Sequence, residues 1–204
     1  MKIITISREF GSGGRELGSR LAADLGFDYY DREIIAKIAT SCGVNEEYAD
    51  YVLSNNFTFS GDVTYGQSFR VPDVMQTTQL QFLREQTNVI RDLAKLDRDF
   101  VIVGRNADLI LKEHKPFNVF VCADQESKLA RCLSRKQEDE EISEKEMLRT
   151  MKQIDKNRAR TRSAISDNPW GDRQAYHLIV NTSGWEIQDL IPCVKTFAAA
   201  YFNK

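Results

Sequence analysis

The chain opens on a β-branched apolar run, Lys2 to Ser7, interrupted by Gly11, Gly13 and Gly14 and followed by Leu17, Leu21 and Leu25 at helical spacing. That order predicts strand, glycine-rich turn, helix. Gly26 ends the helix, a short strand is expected around Asp28 to Tyr30, and Asp31 is placed to cap a helix carrying Ile34, Ile35, Ile38 and Ala39. Asn45 to Leu53 reads as another short helix, whereas Ser54 to Val71 is polar and aperiodic and reads as loop. Pro72 suits the first turn of a helix reaching Leu96, with Leu80, Leu83, Ile90, Leu93 and Leu96 on its apolar face. Phe100 to Gly104 and Phe117 to Ala123 are continuous apolar runs, the pattern of strands buried on both faces. Asp124 can cap the next helix, and Ser143 with Glu146 forms a capping box ahead of Met147, Met151 and Ile154. A last strand, Tyr176 to Thr182, leads to a helix with Ile187, Leu190, Ile191, Val194 and Phe197, in which Pro192 predicts a kink or a late start. Strands alternating with helices predict a three-layer α/β/α domain on a five-stranded parallel sheet, with ligands beyond the carboxyl ends of the strands.

Composition narrows the partner. At 204 residues, 42% hydrophobic and 28% charged, the chain suits one globular domain. Lys and Arg number 28 against 30 Asp and Glu, a net charge of −2, so no nucleic-acid coat or polybasic membrane anchor is expected. The first residues turn polar too soon for a signal peptide, and no apolar run approaches the ~18 residues of a membrane span, so a cytoplasmic protein is expected. Cys42, Cys122, Cys132 and Cys193 are widely spaced, which predicts reduced, buried thiols rather than a zinc site or disulfides. His114 and His177 fall in a loop region and a predicted strand, where structural roles are the plainer reading. The charge is uneven along the chain. Glu138 to Glu146 holds six acids and one Lys, whereas Arg149 to Arg162 holds six bases and only Asp155.

The glycine cluster matters because of its position. Ser7 to Glu16 joins the first strand to the first helix, where glycines turn N–H groups inward and the helix presents its own unpaired amides, a cradle for an anion. Arg15 at the helix start adds a charged donor. Gly104, Arg105 and Asn106 follow the Phe100 to Val103 strand and come to the same edge of the sheet. Asp155 and Arg158, at i and i+3, share one helix face, and Arg160 and Arg162 extend the basic run, which suits a flap closing over a polyphosphate with Glu138 to Glu141 left in solvent. Arg131 and Arg135, at i and i+4, can brace or join that cluster. A glycine loop with several arginines is the equipment of phosphoryl transfer, which needs positioning and positive charge more than covalent participation. Gly11-x-Gly13 with Asp31 downstream keeps a dinucleotide-binding enzyme open, although Glu16 stands where that motif needs its third glycine.

In the stretch Ile4 to Glu16, in Tyr30-Asp31-Arg32-Glu33, in Val103-Gly104-Arg105-Asn106-Ala107 and in Asp155-Lys156-Asn157-Arg158, the chain resembles the cytidylate kinase-like family of the P-loop nucleoside monophosphate kinases. The resemblance implies a P-loop nucleoside triphosphate hydrolase-like fold with a helical lid, and ATP, with Mg²⁺, donating its γ-phosphate to CMP or dCMP. It implies donor phosphates at Gly11, Ser12, Gly13, Gly14, Arg15 and Glu16, and the acceptor at Asp31, Arg32, Arg105, Asn106, Asp155 and Arg158. Arg15, Arg131, Arg158 and Arg162 would supply catalytic charge, residues 43–98 the acceptor region and 136–168 the lid of a single domain. Four positions depart from the family pattern. Aligned without gaps, Gly14 holds the place of the loop lysine and Arg15 that of the Ser/Thr; Asn106 replaces an acid; Met151 stands where an arginine is usual. A P-loop module that binds nucleotide without turning it over therefore remains a second class of reading.

Overall fold

A computed structural model describes residues 1–54, 74–135 and 142–204. Five strands, β1 (Ile3–Arg8), β2 (Asp28–Tyr30), β3 (Phe100–Val103), β4 (Phe117–Cys122) and β5 (Leu178–Asn181), pair in parallel in the order β2-β3-β1-β4-β5. The helices are α1 (Gly14–Leu25), α2 (Glu33–Cys42), α3 (Glu46–Ser54), α4 (Val74–Lys95), α5 (Ala107–Ile110), α6 (Gln125–Ser134), α7 (Glu144–Ser163) and α8 (Ile187–Phe202), with 3₁₀ turns at Lys112–His114 and Arg173–Ala175.

Alternation along the strands divides the core in two. Ile3, Phe100 and Ile102 face α2, α3 and α4, where Ile34, Ile38 and Ile90 are fully buried. Ile4, Ile6, Val101, Val103, Val119 and Val121 face α1 and α8, against Leu17, Leu21, Ile187 and Val194. Both faces of the sheet are covered, which is why the strands read as unbroken apolar runs. Register then sets the site: Ile6 pairs with Val103, Ser7 with Phe120 and Arg8 with Val121, so the turns leaving β1, β3 and β4 emerge side by side at the carboxyl edge. β3 lies between β1 and β2, whereas a dinucleotide-binding fold sets its second strand directly beside the first, so that reading falls.

Gly26 closes α1 in the left-handed conformation, Asp124 caps α6 through the Ser127 N–H, and the Ser143–Glu146 box is present in both directions. Asp31 does not cap α2. Arg32 holds that position without a side-chain bond, because the Asp31 carboxylate is turned to Arg15 instead. α8 runs through Pro192, which sits in its second turn, where a single carbonyl loses its partner. β5 begins two residues later than expected, at Leu178, leaving Tyr176 and His177 before the strand. His114 ends a 3₁₀ turn. All four cysteines are free; Cys193 is exposed and the other three are partly covered, so the expected full burial is not found. The loop expected over 54–71 begins inside α3 at Ser54, and its remainder, with Pro72 and the acids Glu138 to Glu141, lies outside the described residues.

Candidate functional site

The turn after β1 is pinned from behind. Glu9 N–H donates to Val121 O at 2.9 Å, and the Glu9 carboxylate accepts from Lys128 Nζ at 2.8 Å and Ala123 N–H at 3.3 Å. The buried Ser12 hydroxyl donates to Glu9 O, and Ser12 O accepts from the Thr182 hydroxyl at 2.8 Å. Gly11 and Gly13 take φ of 77° and 81°, which side chains resist, and Gly13 O accepts the first helical bond, from Leu17 N–H at 2.9 Å. Among the described residues, the amides of Gly14, Arg15 and Glu16 have no acceptor, the ordinary state of a helix start that can receive an anion.

A cavity of about 760 Å³ opens beside this turn, between the carboxyl edge of the sheet and α7. Its lining carries five arginines, Arg8, Arg15, Arg105, Arg149 and Arg158, against one carboxylate, Asp50. Arg15 Nε lies 2.5 Å from Asp31 Oδ2, and its side chain is half exposed. Arg105 Nη2 donates to Asp50 Oδ1 at 2.9 Å, and its carbonyl accepts from Gln86 Nε2 at 3.1 Å. Gly104, Arg105 and Asn106 all have positive φ, at 75°, 58° and 52°. For Arg105 that conformation costs on the order of 1 kcal/mol and aims its guanidinium into the cavity. The Asn106 amide makes no cap bond to α5 and lines the same space.

α7 supplies the opposite wall. Asp155 Oδ1 accepts from Phe10 N–H at 2.8 Å and from Arg158 Nη1 at 3.0 Å, and Arg158 Nη1 also donates to Arg8 O at 3.0 Å. The Arg158 guanidinium lies 5.9 Å from the centroid of the Phe10 ring. Burial holds the Asp155 carboxyl above the usual carboxylate range, although the Phe10 amide and Arg158 oppose the shift. Burial lowers the Arg158 guanidinium, and Arg105 and Arg15 push the same way. Arg8 is held down to about 9, first by burial and then by Arg158, with Asp31 opposing. Mutually repelling cations around one cavity make a site complementary to an anion.

Of the residues singled out in the sequence, Arg15, Arg105, Asn106 and Arg158 line this cavity, and Asp31 and Asp155 stand just behind, each holding an arginine. Arg32 and Glu16 instead line a separate groove of about 410 Å³, where Glu16 pairs with Arg20 and Arg135. Two expectations need correction. Arg162 is not poised over the cavity: it is 1% exposed, its Nη1 lies 2.5 Å from Asp108 Oδ2, and its charge is spent inside the fold. Arg131 likewise turns away, donating to Thr182 Oγ1, Thr182 O and Trp185 O, and so braces the turn after β5 against the glycine loop. Arg8, Asp50, Gln86 and Trp170 line the cavity without having been singled out; for Arg8 the signals were its place at the end of β1 and at the first-glycine position of the general loop pattern. Among the described residues no group of three or more His, Cys, Asp or Glu could hold a metal ion, and no helix is long and apolar enough to cross a membrane.

Comparison with known proteins follows the same lines. A protein from Eubacterium ventriosum, 24% identical, superposes with a TM-score of 0.70 over 98% of this chain and 99% of its own. Shikimate kinase from Aquifex aeolicus, 15% identical, matches at 0.55 over 98% of each chain. Shikimate kinase from Acinetobacter baumannii, solved with shikimate and 16% identical, matches at 0.55 over 100% of this chain and 96% of its own. At these identities the likeness shows the fold, a P-loop kinase fold. No curated protein matches the sequence. The family model described as the cytidylate kinase-like family covers residues 3–184, and the chain belongs to that family.

Proposed function

We propose that the protein is a nucleotide kinase that moves the γ-phosphoryl group of ATP to a nucleoside monophosphate, most closely CMP or dCMP. The observation that carries this reading is the cavity with five arginines and one carboxylate beside a glycine loop whose first helical amides have no acceptor among the described residues. Those amides, with Gly11 to Glu16 and the Arg15 side chain, fit the phosphates of the donor. Mg²⁺ would be held largely by the nucleotide's own phosphates and a few waters. Bound ATP and Mg²⁺ would supply the transferable phosphoryl group and neutralise charge on its oxygens. Arg105 and Arg158 would fix the acceptor phosphate bidentately, with Asp155 orienting Arg158 and Asp31 orienting Arg15. Residues 43–98 would form the acceptor side and 136–168 the lid of a cytoplasmic enzyme.

The gap at the lysine position favours a second reading, a module that binds nucleotide and reports it without turnover. Both readings require the phosphate grip, which calorimetric titration of CMP against cytidine tests. CMP binds and cytidine binds at least about tenfold more weakly, while Arg105→Ala costs about 1.5–3 kcal/mol of CMP affinity, the worth of a charge-assisted bond. Equal affinity for CMP and cytidine overturns the grip.

A further inference from the structure

Arg8 belongs to none of the roles given above, yet its surroundings are the most unusual in the site. In the general loop pattern G-x-x-x-x-G-K-[ST], with Gly13 as the second glycine, position 8 carries the first glycine and position 14 the lysine. This chain has the two exchanged: Arg at 8 and Gly at 14. The geometry explains why the exchange couples these positions. A Cβ built on Gly14 would stand 2.5 Å from Arg8 Cβ and 3.0 Å from Arg8 Cγ, so only one of the two positions can carry a long side chain. A third position is shaped to the same end, since a Cβ on Gly104 would fall 1.6 Å from Arg8 Nη1.

The guanidinium in that slot has donors to spare. The Arg8 side chain is 15% exposed and its one ion pair, to Asp31 Oδ1, is long at 3.8 Å; Asp31 Oδ2 is already taken by Arg15 at 2.5 Å. No hydrogen bond from the Arg8 guanidinium is formed among the described residues, although it lines the cavity with Arg105 and Arg158. A desolvated charge is ordinarily fully bonded in a folded protein, because leaving it unbonded is costly. Donors kept open at the edge of a cavity are donors for a ligand. We propose that Arg8 replaces the missing loop lysine, and that it grips a phosphoryl dianion where the glycine loop meets the wall of Arg105 and Arg158. This deepens the proposed kinase reading and rests on it only for the identity of the nucleotide.

The test uses the whole protein with inorganic pyrophosphate as probe, followed by calorimetry and thermal melting. The wild-type protein binds pyrophosphate and melts higher in its presence. Arg8→Met loses at least about tenfold in pyrophosphate affinity, as expected for a lost charge-assisted pair, and melts higher than wild type without ligand because an unbonded buried charge is gone. A structural arginine would do the opposite. Arg8→Lys, which keeps the charge but not the fork, retains the fold and loses affinity several-fold. Gly14→Lys alone loses binding, and the double variant Arg8→Gly with Gly14→Lys recovers it. The proposal is overturned if wild type fails to bind pyrophosphate, if Arg8→Met binds it as wild type does, if Arg8→Met melts lower without ligand, or if the double variant does no better than Gly14→Lys. Turnover separates the two readings. Lost pyrophosphate binding in Arg8→Met, beside a wild type that phosphorylates no acceptor, leaves this assignment standing and removes the kinase. Unchanged turnover in Arg8→Met removes this assignment and leaves the kinase.

Discussion

Arg158 and Arg162 lie one helical turn apart on α7, yet one faces the cavity and the other is sealed in the fold. Spacing along a helix tells which residues share a face, but not what a neighbouring element offers them. Here α5 offers Asp108, whose side chain is 3% exposed and whose Oδ1 has no hydrogen-bond partner among the described residues, so the charge of Arg162 is what makes that carboxylate tolerable. Arg162→Ala is therefore expected to cost about 3–5 kcal/mol by chemical denaturation, through an uncompensated buried charge, and adding Asp108→Asn should return part of it. A loss below about 1 kcal/mol would show that the pair is not holding α7 to α5. Arg8 was hidden for a related reason. What makes it unusual is the space cleared by Gly14 and Gly104, and contacts between distant positions cannot be seen in a linear pattern.

Elements were more legible than their joints. Buried runs at β1, β3 and β4, the Gly26 stop, the Asp124 cap and the Ser143 box are signals contained in a few consecutive residues, and the structure has them where the sequence puts them. Asp31 failed as a cap because a stronger partner, Arg15, comes to it across the turn after β1. The entry to β5 was misplaced because His177 is not pleated into the strand. It exchanges bonds with Asn118, donating its N–H to Asn118 O at 2.8 Å and accepting Asn118 N–H at Nδ1 at 2.9 Å, with its ring packed on Phe117 and Tyr201. Loss of hydration, with Lys204 nearby, holds His177 below its ordinary value of 6.5. A base with a lowered pKa binds its proton more weakly when folded. Stability at this joint is then full above about 6.5 and falls as pH drops below it, because protonating Nδ1 breaks the bond from Asn118. Melting at pH 7.5 and 5.5 should show a larger drop for wild type than for His177→Gln, and equal drops would count against the joint as an acid-sensitive point.

At the scale of the whole molecule, a near-neutral total charge coexists with a strongly basic cavity. The net charge is −2, yet five arginines are gathered around about 760 Å³ at the carboxyl edge of the sheet. The sheet sets the register of the turns, α1 supplies its first amides, and α7 brings Asp155 and Arg158 against Phe10 and Arg8. The family is shown by the match over residues 3–184, and transfer of a phosphoryl group is the chemistry the arrangement suits. The most direct measurement is product formation by the purified protein with ATP, Mg²⁺ and, in turn, CMP, dCMP, UMP, AMP and GMP, read as ADP and the matching diphosphate. ADP and a nucleoside diphosphate are expected in equal amounts, fastest with CMP or dCMP. ATP binding with no diphosphate formed from any of the five acceptors would contradict the kinase reading.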